Sequence, residues 1–350
     1  MSPPLVPVAM KHHPLLFLTP LVLTLAVCTP VAAAGTVVAQ LERPSTVRAY
    51  AGIQVLSAYD GSSYRLAVLR HGRMELLPVA PSQAPFDVDI GPGRTGRPQL
   101  VYTRCRVERP DVAFGRNDSE SCDLVTYTLD GRSAERGVRG ASTPDGNEFA
   151  PTLWKGRIAF ARKVPGRERP LVLLRDLSAP RSRPSLRLPS ITRVTSTRGI
   201  LELELSGRHL AQIVFSAGRT EVRLVDVRAG RARRLAGMGV GEGGQYFAGI
   251  GFADGYLAWA TQWITGGGAL RPGIYRYRLS TGELVRAPHP RDVFSIVGLA
   301  PADQDTVYIT DSSPTDDGCG GEPQGVGPPR HCQVVRTGPL RFRPVRPGAA

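Results

Sequence analysis

Lysine is almost missing from this chain: Lys11, Lys155 and Lys163 are all there is, so 41 of its 44 basic residues are arginine. Histidine is as scarce. Beyond Ala34 only His71, His209, His289 and His331 remain, too few and too scattered for a dense acid–base relay or a histidine metal centre. His71 before Gly72 and His289 between prolines read as exposed turn residues, and His209 reads as a structural residue before an apolar strand. No Gly-x-Ser-x-Gly elbow, His-Glu-x-x-His helix, phosphate loop or dinucleotide fingerprint occurs, which sets aside the enzyme classes built on them. Zinc-finger spacing and the aromatic–basic ribonucleoprotein signature are absent too, so nucleic acid is not an expected partner. Segments with helical period are missing, which argues against bundles and α/β layers.

What is abundant fits short strands and turns. The 350 residues include 39 Gly and 31 Pro, and 41% are hydrophobic, enough for a sizeable core and against global disorder. The formal charge is +14. Its arginines are scattered rather than gathered on one element, as on an ordinary solvated surface. Electrostatic attachment to an anionic cell-envelope polymer is the alternative use of such a charge.

The segment Met1–Ala34 reads as an export signal. Lys11-His12-His13 is a weak polar n-region, Leu15 to Val27 is apolar, and Ala32-Ala33-Ala34 supplies small residues before Gly35. Either Met1 or Met10 serves as the start. Pro20 and Pro30 interrupt the apolar run and no basic stop-transfer cluster follows, so no stable membrane span is expected after cleavage. Val27 stands where a lipoprotein box needs a small residue, so no lipid anchor at Cys28 is expected. The expectation is a secreted or cell-surface protein. Four cysteines then remain, and an even number in an oxidising compartment implies disulfides. Four cysteines allow three connectivities; Cys105–Cys122 and Cys319–Cys332 are chosen because each pair brackets one loop between strand-like runs.

The stretch 191–235 shows the repeating unit most plainly: a four-strand meander, with Val222, Leu224 and Asp226 alternating against Glu221, Arg223 and Val225. Ser216-Ala217-Gly218-Arg219 and Arg228-Ala229-Gly230-Arg231 supply turns. The most apolar strand of each unit starts at Gly52, Leu100, Arg157, Leu210, Tyr256 and Thr306. A steady spacing near fifty residues in an all-β chain is the mark of a β-propeller with four-stranded blades. The expected fold is therefore all-β, a six-bladed propeller over residues 35–350. Its blades fall roughly at 45–82, 85–140, 147–190, 191–237, 243–289 and 292–345. Inner strands are placed at Phe86, Glu148, Ile191, Tyr246 and Phe294. The first unit lacks an inner strand of its own, and Val37–Leu41 or a segment near Leu340–Val345 is expected to supply it and close the ring.

Residues 147–160, NEFAPTLWKGRIAF, resemble the repeat of TolB-type, WD40-like propellers, and residues 274–284, IYRYRLSTGEL, are similar to its second half. The resemblance covers about residues 45–345 and implies an exported propeller. The Ser-Pro-Asp-Gly turn usual before the apolar strand is missing, and there is no room for the N-terminal domain that TolB carries.

Long insertions fall between the second and third strands of blades: 106–121, 164–170, 265–272 and 312–331. In a meander these loops leave from one face, so that face is the expected binding surface. Arg109, Arg116, Arg167, Trp263, Arg271, Asp316, Asp317 and His331 are its candidate residues; Trp259 reads as core. Asp87, Asp89, Glu148 and Asp292 lie at or just before inner strands, where they would line the mouth of a central channel and offer carboxylate pairs for acid–base work. The expected role is a binding or scaffold module without evident catalysis or cofactor, a monomer recognising a protein or cell-envelope polymer. A polysaccharide lyase or hydrolase with a channel-mouth site is the alternative.

Overall fold

Val222 and Leu224 are buried while Glu221 and Arg223 on the other face are half-buried, and this period of two recurs through the chain. The structure is a computed structural model that describes residues 35–111, 116–117, 119–129, 134–143, 145–167, 169–180, 182–188, 200–216, 219–239, 245–263, 273–290, 293, 295–303, 306–312 and 332–345. All regular structure among these residues is strand. No helix among them is long and apolar enough to cross a membrane.

The chain opens with β1 (Thr36–Leu41) and then builds six antiparallel sheets. Blade 1 is β2 (Val47–Tyr50), β3 (Ile53–Tyr59), β4 (Tyr64–Arg70) and β5 (Arg73–Leu76). Blade 2 is β6 (Val88–Pro92), β7 (Pro98–Val107), β10 (Glu120–Thr128) and β11 (Arg136–Gly137), with a hairpin of β8 (Pro110–Asp111) and β9 (Arg116–Asn117) set into it. Blade 3 is β12 (Asn147–Trp154), β13 (Arg157–Lys163), β14 (Leu171–Asp176) and β15 (Leu186–Leu188). Blade 4 is β16 (Ile200–Ser206), β17 (His209–Ser216), β18 (Arg219–Asp226) and β19 (Arg231–Gly239). Blade 5 is β20 (Gln245–Ala253), β21 (Tyr256–Trp263), β22 (Gly273–Arg278) and β23 (Leu284–Pro288). Blade 6 is β24 (Ile296–Pro301), β25 (Val307–Ser312) and β26 (Cys332–Arg336), completed by β1. The inner strands β2, β6, β12, β16, β20 and β24 are each in contact with the next, and β24 returns to β2. The fold is a six-bladed propeller.

Four strand assignments differ from the sequence expectation. Blade 1 has its own inner strand, β2, only four residues long. The segment Val37–Leu41 is instead an outer strand, paired with β26 from Thr36↔Arg336 to Leu41↔Cys332. The tail forms β27 (Arg343–Pro344), a fifth strand on the outer edge of blade 5. Both ends of the described chain therefore cover outer edges, which removes unpaired strand groups where aggregation would begin. In blade 4 the inner position is filled by β16; the expected segment 191–196 lies outside the described residues.

Packing between blades supplies the core. Val55, Tyr64, Leu66 and Val68 of blade 1 meet Val88, Ile90, Leu100 and Tyr102 of blade 2, each fully buried aliphatic side chain contributing about 1.5–3 kcal/mol. Trp259 is fully buried and stacks on Tyr275, with centroids 5.7 Å apart. Arg175 is buried as well. Its guanidinium donates to the carbonyls of Ala179, Pro180 and Arg183 and so gathers the turn that leads into β15. Bulges interrupt the inner strands β12, β16, β20 and β24 just before Thr152, Glu202, Ile250 and Gly298. A bulge bends its strand and re-aims the side chains beyond it; here those include polar groups at the axis.

Candidate functional site

Blades 1 and 4 stand opposite each other in a six-membered ring, so a direct contact between their inner strands must cross the axis. Arg48 of β2 makes one. Its Nη1 lies 2.5 Å from Glu202 Oε1 of β16 and donates to the Ile250 carbonyl of β20 at 2.9 Å. Both side chains of the ion pair are nine-tenths buried. Arg48 pairs in register with Val55, Asp89 with Val101, Thr152 with Ala159 and Glu204 with Ala211. Val55, Ala159 and Ala211 are each the third residue of the second strand of their blade and Val101 is the fourth of β7, so the four residues lie at about one level around the axis.

Blades 2 to 4 are stitched at that level. Asp89 Oδ2 accepts the Leu153 N–H at 2.8 Å, and the carboxylate takes a bond from the Thr152 hydroxyl. Thr152 Oγ1 in turn accepts the Leu205 N–H at 2.9 Å. Asp87 Oδ2 accepts the N–H of Ala150, the bulge residue of β12, at 2.5 Å. Ala150 has φ +47°, and this bond helps hold a left-handed backbone that alanine seldom adopts.

Charge does not balance around Arg48. Burial acts to lower its pKa, but Glu202, Glu204, Asp89 and Asp87 together hold it above its ordinary value. Burial raises Asp89 against the opposing pull of Arg48 and its hydrogen bonds. Burial, then repulsion from Asp89, raises Glu204 well above the usual carboxylate range. Arg48 Nε, Glu202 Oε2 and Glu204 Oε2 are buried with no hydrogen-bond partner. Among the described residues no group of three or more His, Cys, Asp or Glu side chains is arranged to hold a metal ion.

The residues expected at a channel mouth separate in space. Asp87 and Asp89 join the axial cluster. Glu148 is turned to its own blade, with Oε1 2.6 Å from Arg162 Nε; burial, opposed by Arg162 and reinforced by Asp123, raises its carboxyl to about 7. Asp292 lies outside the described residues. On the loop face, Arg109 is exposed and paired with Glu120 at 3.0 Å, and its N–H donates to Ser119 Oγ. Arg167 is exposed in a turn closed by its N–H to the Val164 carbonyl. Arg116 belongs to β9 and Trp263 ends β21, paired with Gln245. Arg271, Asp316, Asp317 and His331 lie outside the described residues. Cys105 and Cys122 face each other across β7 and β10 and are bonded, closing the base of the hairpin loop. Cys332 is also disulfide-bonded; its expected partner Cys319 is not among the described residues.

His289 departs from the exposed turn expected of it. It is half-buried, its Nε2 has no partner, and burial, opposed by Asp311, drives the imidazole down to about 4. The unfolded chain takes up this proton near pH 6.5 and the native chain does not, so stability is lost as pH falls from about 6.5 to 4. Replacement by Gln is expected to remove about 1–2 kcal/mol of acid sensitivity in that window, after allowance for partial exposure. Thermal midpoints measured from pH 7 to 4 would show this as a flatter curve for H289Q.

Sequence reasoning missed Arg48, Glu202 and Glu204 because it missed their strands. The alternation in ILELELS was the available signal for Glu202 and Glu204; VRAY is too short to carry one.

These features define an all-β propeller whose axis is closed by an ionic cluster and whose second blade carries a disulfide-closed loop. In fold it is similar to AofleA from Arthrobotrys oligospora, with TM-score 0.52 and 7% identity over 87% of each chain. The PQQ-bound aldose sugar dehydrogenase from Streptomyces coelicolor aligns with TM-score 0.49 and 15% identity, over 90% of this chain and 99% of that one. TolB from Acinetobacter baumannii aligns with TM-score 0.44 and 14% identity, over 86% of this chain and 65% of that one. Likeness at such identities is one of fold alone. No protein-family model matches the sequence, and a search of curated proteins returns no match.

Proposed function

We propose that the chain is an exported propeller of the TolB-like, WD40-like kind that acts as a binding or scaffold module, recognising a protein or envelope-polymer partner on its long-loop face. The observation that carries this reading is the loop of blade 2. It has a hairpin of its own, a disulfide across its base, and Arg109 exposed beside it. A disulfide closing a loop of this length contributes roughly 3 kcal/mol in the chain-entropy model, and a rigid loop loses less freedom on binding. The Cys105–Cys122 bond is compatible with the oxidising compartment that export implies.

Thermal unfolding of the mature protein against calcium, neutral and acidic glycans and polyanions, at low and high salt, tests this. A ligand at a hundred times its Kd stabilises by about 2.7 kcal/mol. The expected result is a midpoint rise that persists at high salt for one class and is lost on replacing Arg109 and Arg167 by Ala. The enzyme alternative rests on Asp89 and Glu204, raised carboxyls of the kind a general acid needs. No shift with any probe, together with bond cleavage in a polysaccharide that Glu204→Gln abolishes, would overturn the binding reading in favour of the enzyme.

A further inference from the structure

We propose that the axial cluster is a proton-dependent lock on the ring. Arg48 ties blade 1 to blades 4 and 5, and a proton held on the Asp89–Glu204 pair keeps the cluster's negative excess small enough for that tie to hold.

The inner strands bring few charges to the axis, which makes the balance countable. β2 contributes Arg48, β6 contributes Asp89 with Asp87 just ahead of it, and β16 contributes Glu202 and Glu204. β12 brings the Thr152 hydroxyl, while its Glu148 is engaged by Arg162. At this level β20 presents the Ile250 carbonyl, another negative dipole, and β24 (IVGLAP) has no titratable side chain. Among the described residues, four carboxyls thus face one guanidinium. Asp87 is relieved by the Ala150 N–H and Glu202 by Arg48. Asp89 and Glu204 repel each other, and a second charge beside the fully buried Asp89 is costly even though Glu204 is itself only half-buried. Glu204 Oε2, buried without a partner, is where a proton is cheapest to keep. The native ring therefore binds a proton that the unfolded chain releases in the ordinary carboxylate range. Stability from this source is complete below that range and is lost as pH rises through the raised native values. That sign is opposite to that of His289, so the two groups bound stability on opposite sides.

The test is the thermal midpoint of the full mature chain from pH 5 to 9, compared with Glu204→Gln and Asp89→Asn, both of which keep an acceptor and remove the ionisation. Glu148→Gln serves as a control for the other raised carboxyl. The expected result is a wild-type midpoint that falls as pH rises and a Glu204→Gln midpoint that falls less, by about 2–4 °C. Infrared spectra of the native protein at pH 7 should show protonated-carboxyl absorbance with one component that Glu204→Gln or Asp89→Asn removes and that survives in Glu148→Gln, the variant that takes away the separate contribution of Glu148, itself raised to about 7. Parallel midpoint curves for wild type and both axial variants, or no such component at pH 7, would overturn the lock. If one axial variant does not fold, the other and the wild-type spectrum decide.

Discussion

Arg48→Met is expected to lower the stability of the ring by about 3–5 kcal/mol, the range for removing one partner of a buried ion pair. The methionine fills much of the space of the arginine stem, so loss of packing is a small part of the effect. What remains is a set of four carboxyls without the guanidinium they face, and an Ile250 carbonyl without its donor. Denaturant unfolding measures the loss directly, and the slope m should be unchanged because the buried area is nearly the same. Changing Glu202 to Met as well should recover a large share, since an apolar pair in place of a buried ion pair is often neutral or better. A loss below about 1 kcal/mol in the single variant would mean that the axis is wet and the bridge behaves like one on the surface.

The same ion pair marks the limit of what was legible in the sequence. The second and third strands of the blades could be read from runs such as RIAFAR, continuously buried from Ile158 to Ala161 because both its faces are packed, and EVRLVDV, which alternates because one face is only half-buried. Inner strands carry a weaker pattern. One edge of an inner strand meets the axis, bulges shift its register, and β2 offers only four residues. Arg48 and Glu202 stand on opposite blades, far apart along the chain, and nothing local in VRAY or ILELELS announces their pairing. Ring closure was misread for a related reason. The strands Thr36–Leu41 and Arg343–Pro344 are short and largely open to solvent, and composition does not tell an inner strand from an outer one when both ends of the chain offer a candidate. Asp87 and Asp89 were legible as inner-strand carboxyls; their hydrogen bonds to β12 were not, since these depend on where the neighbouring backbone passes.

Gly249→Ala is expected to cost about 2–5 kcal/mol, the sum of a conformational and a packing loss. Gly249 is the bulge residue of β20 and has φ +71°, where an L side chain costs roughly 1–2 kcal/mol. Space is the second cost. A Cβ there would stand 2.2 Å from the Leu299 nitrogen and 2.9 Å from its Cα, so the backbone of β24 would have to move. Overpacking of this kind costs about 1–3 kcal/mol. Gly255 separates the two contributions, because it has φ +81° with nothing within 4 Å of the added carbon. Gly255→Ala should therefore lose only the conformational part, and the difference between the two variants reports the contact between blades 5 and 6. Gly91, whose added Cβ would meet the Leu153 oxygen at 2.0 Å, makes the same close approach between blades 2 and 3. Asp89, two residues before it, holds the Leu153 N–H. Moving β24 off β20 would also shift Ile250, the residue after Gly249, whose carbonyl receives Arg48. Gly249→Ala and Arg48→Met should then be less than additive in unfolding free energy, because each loosens the same span of the ring. Additivity within about 0.5 kcal/mol, as found for independent sites, would separate the bulge from the axial cluster and leave the two as independent supports.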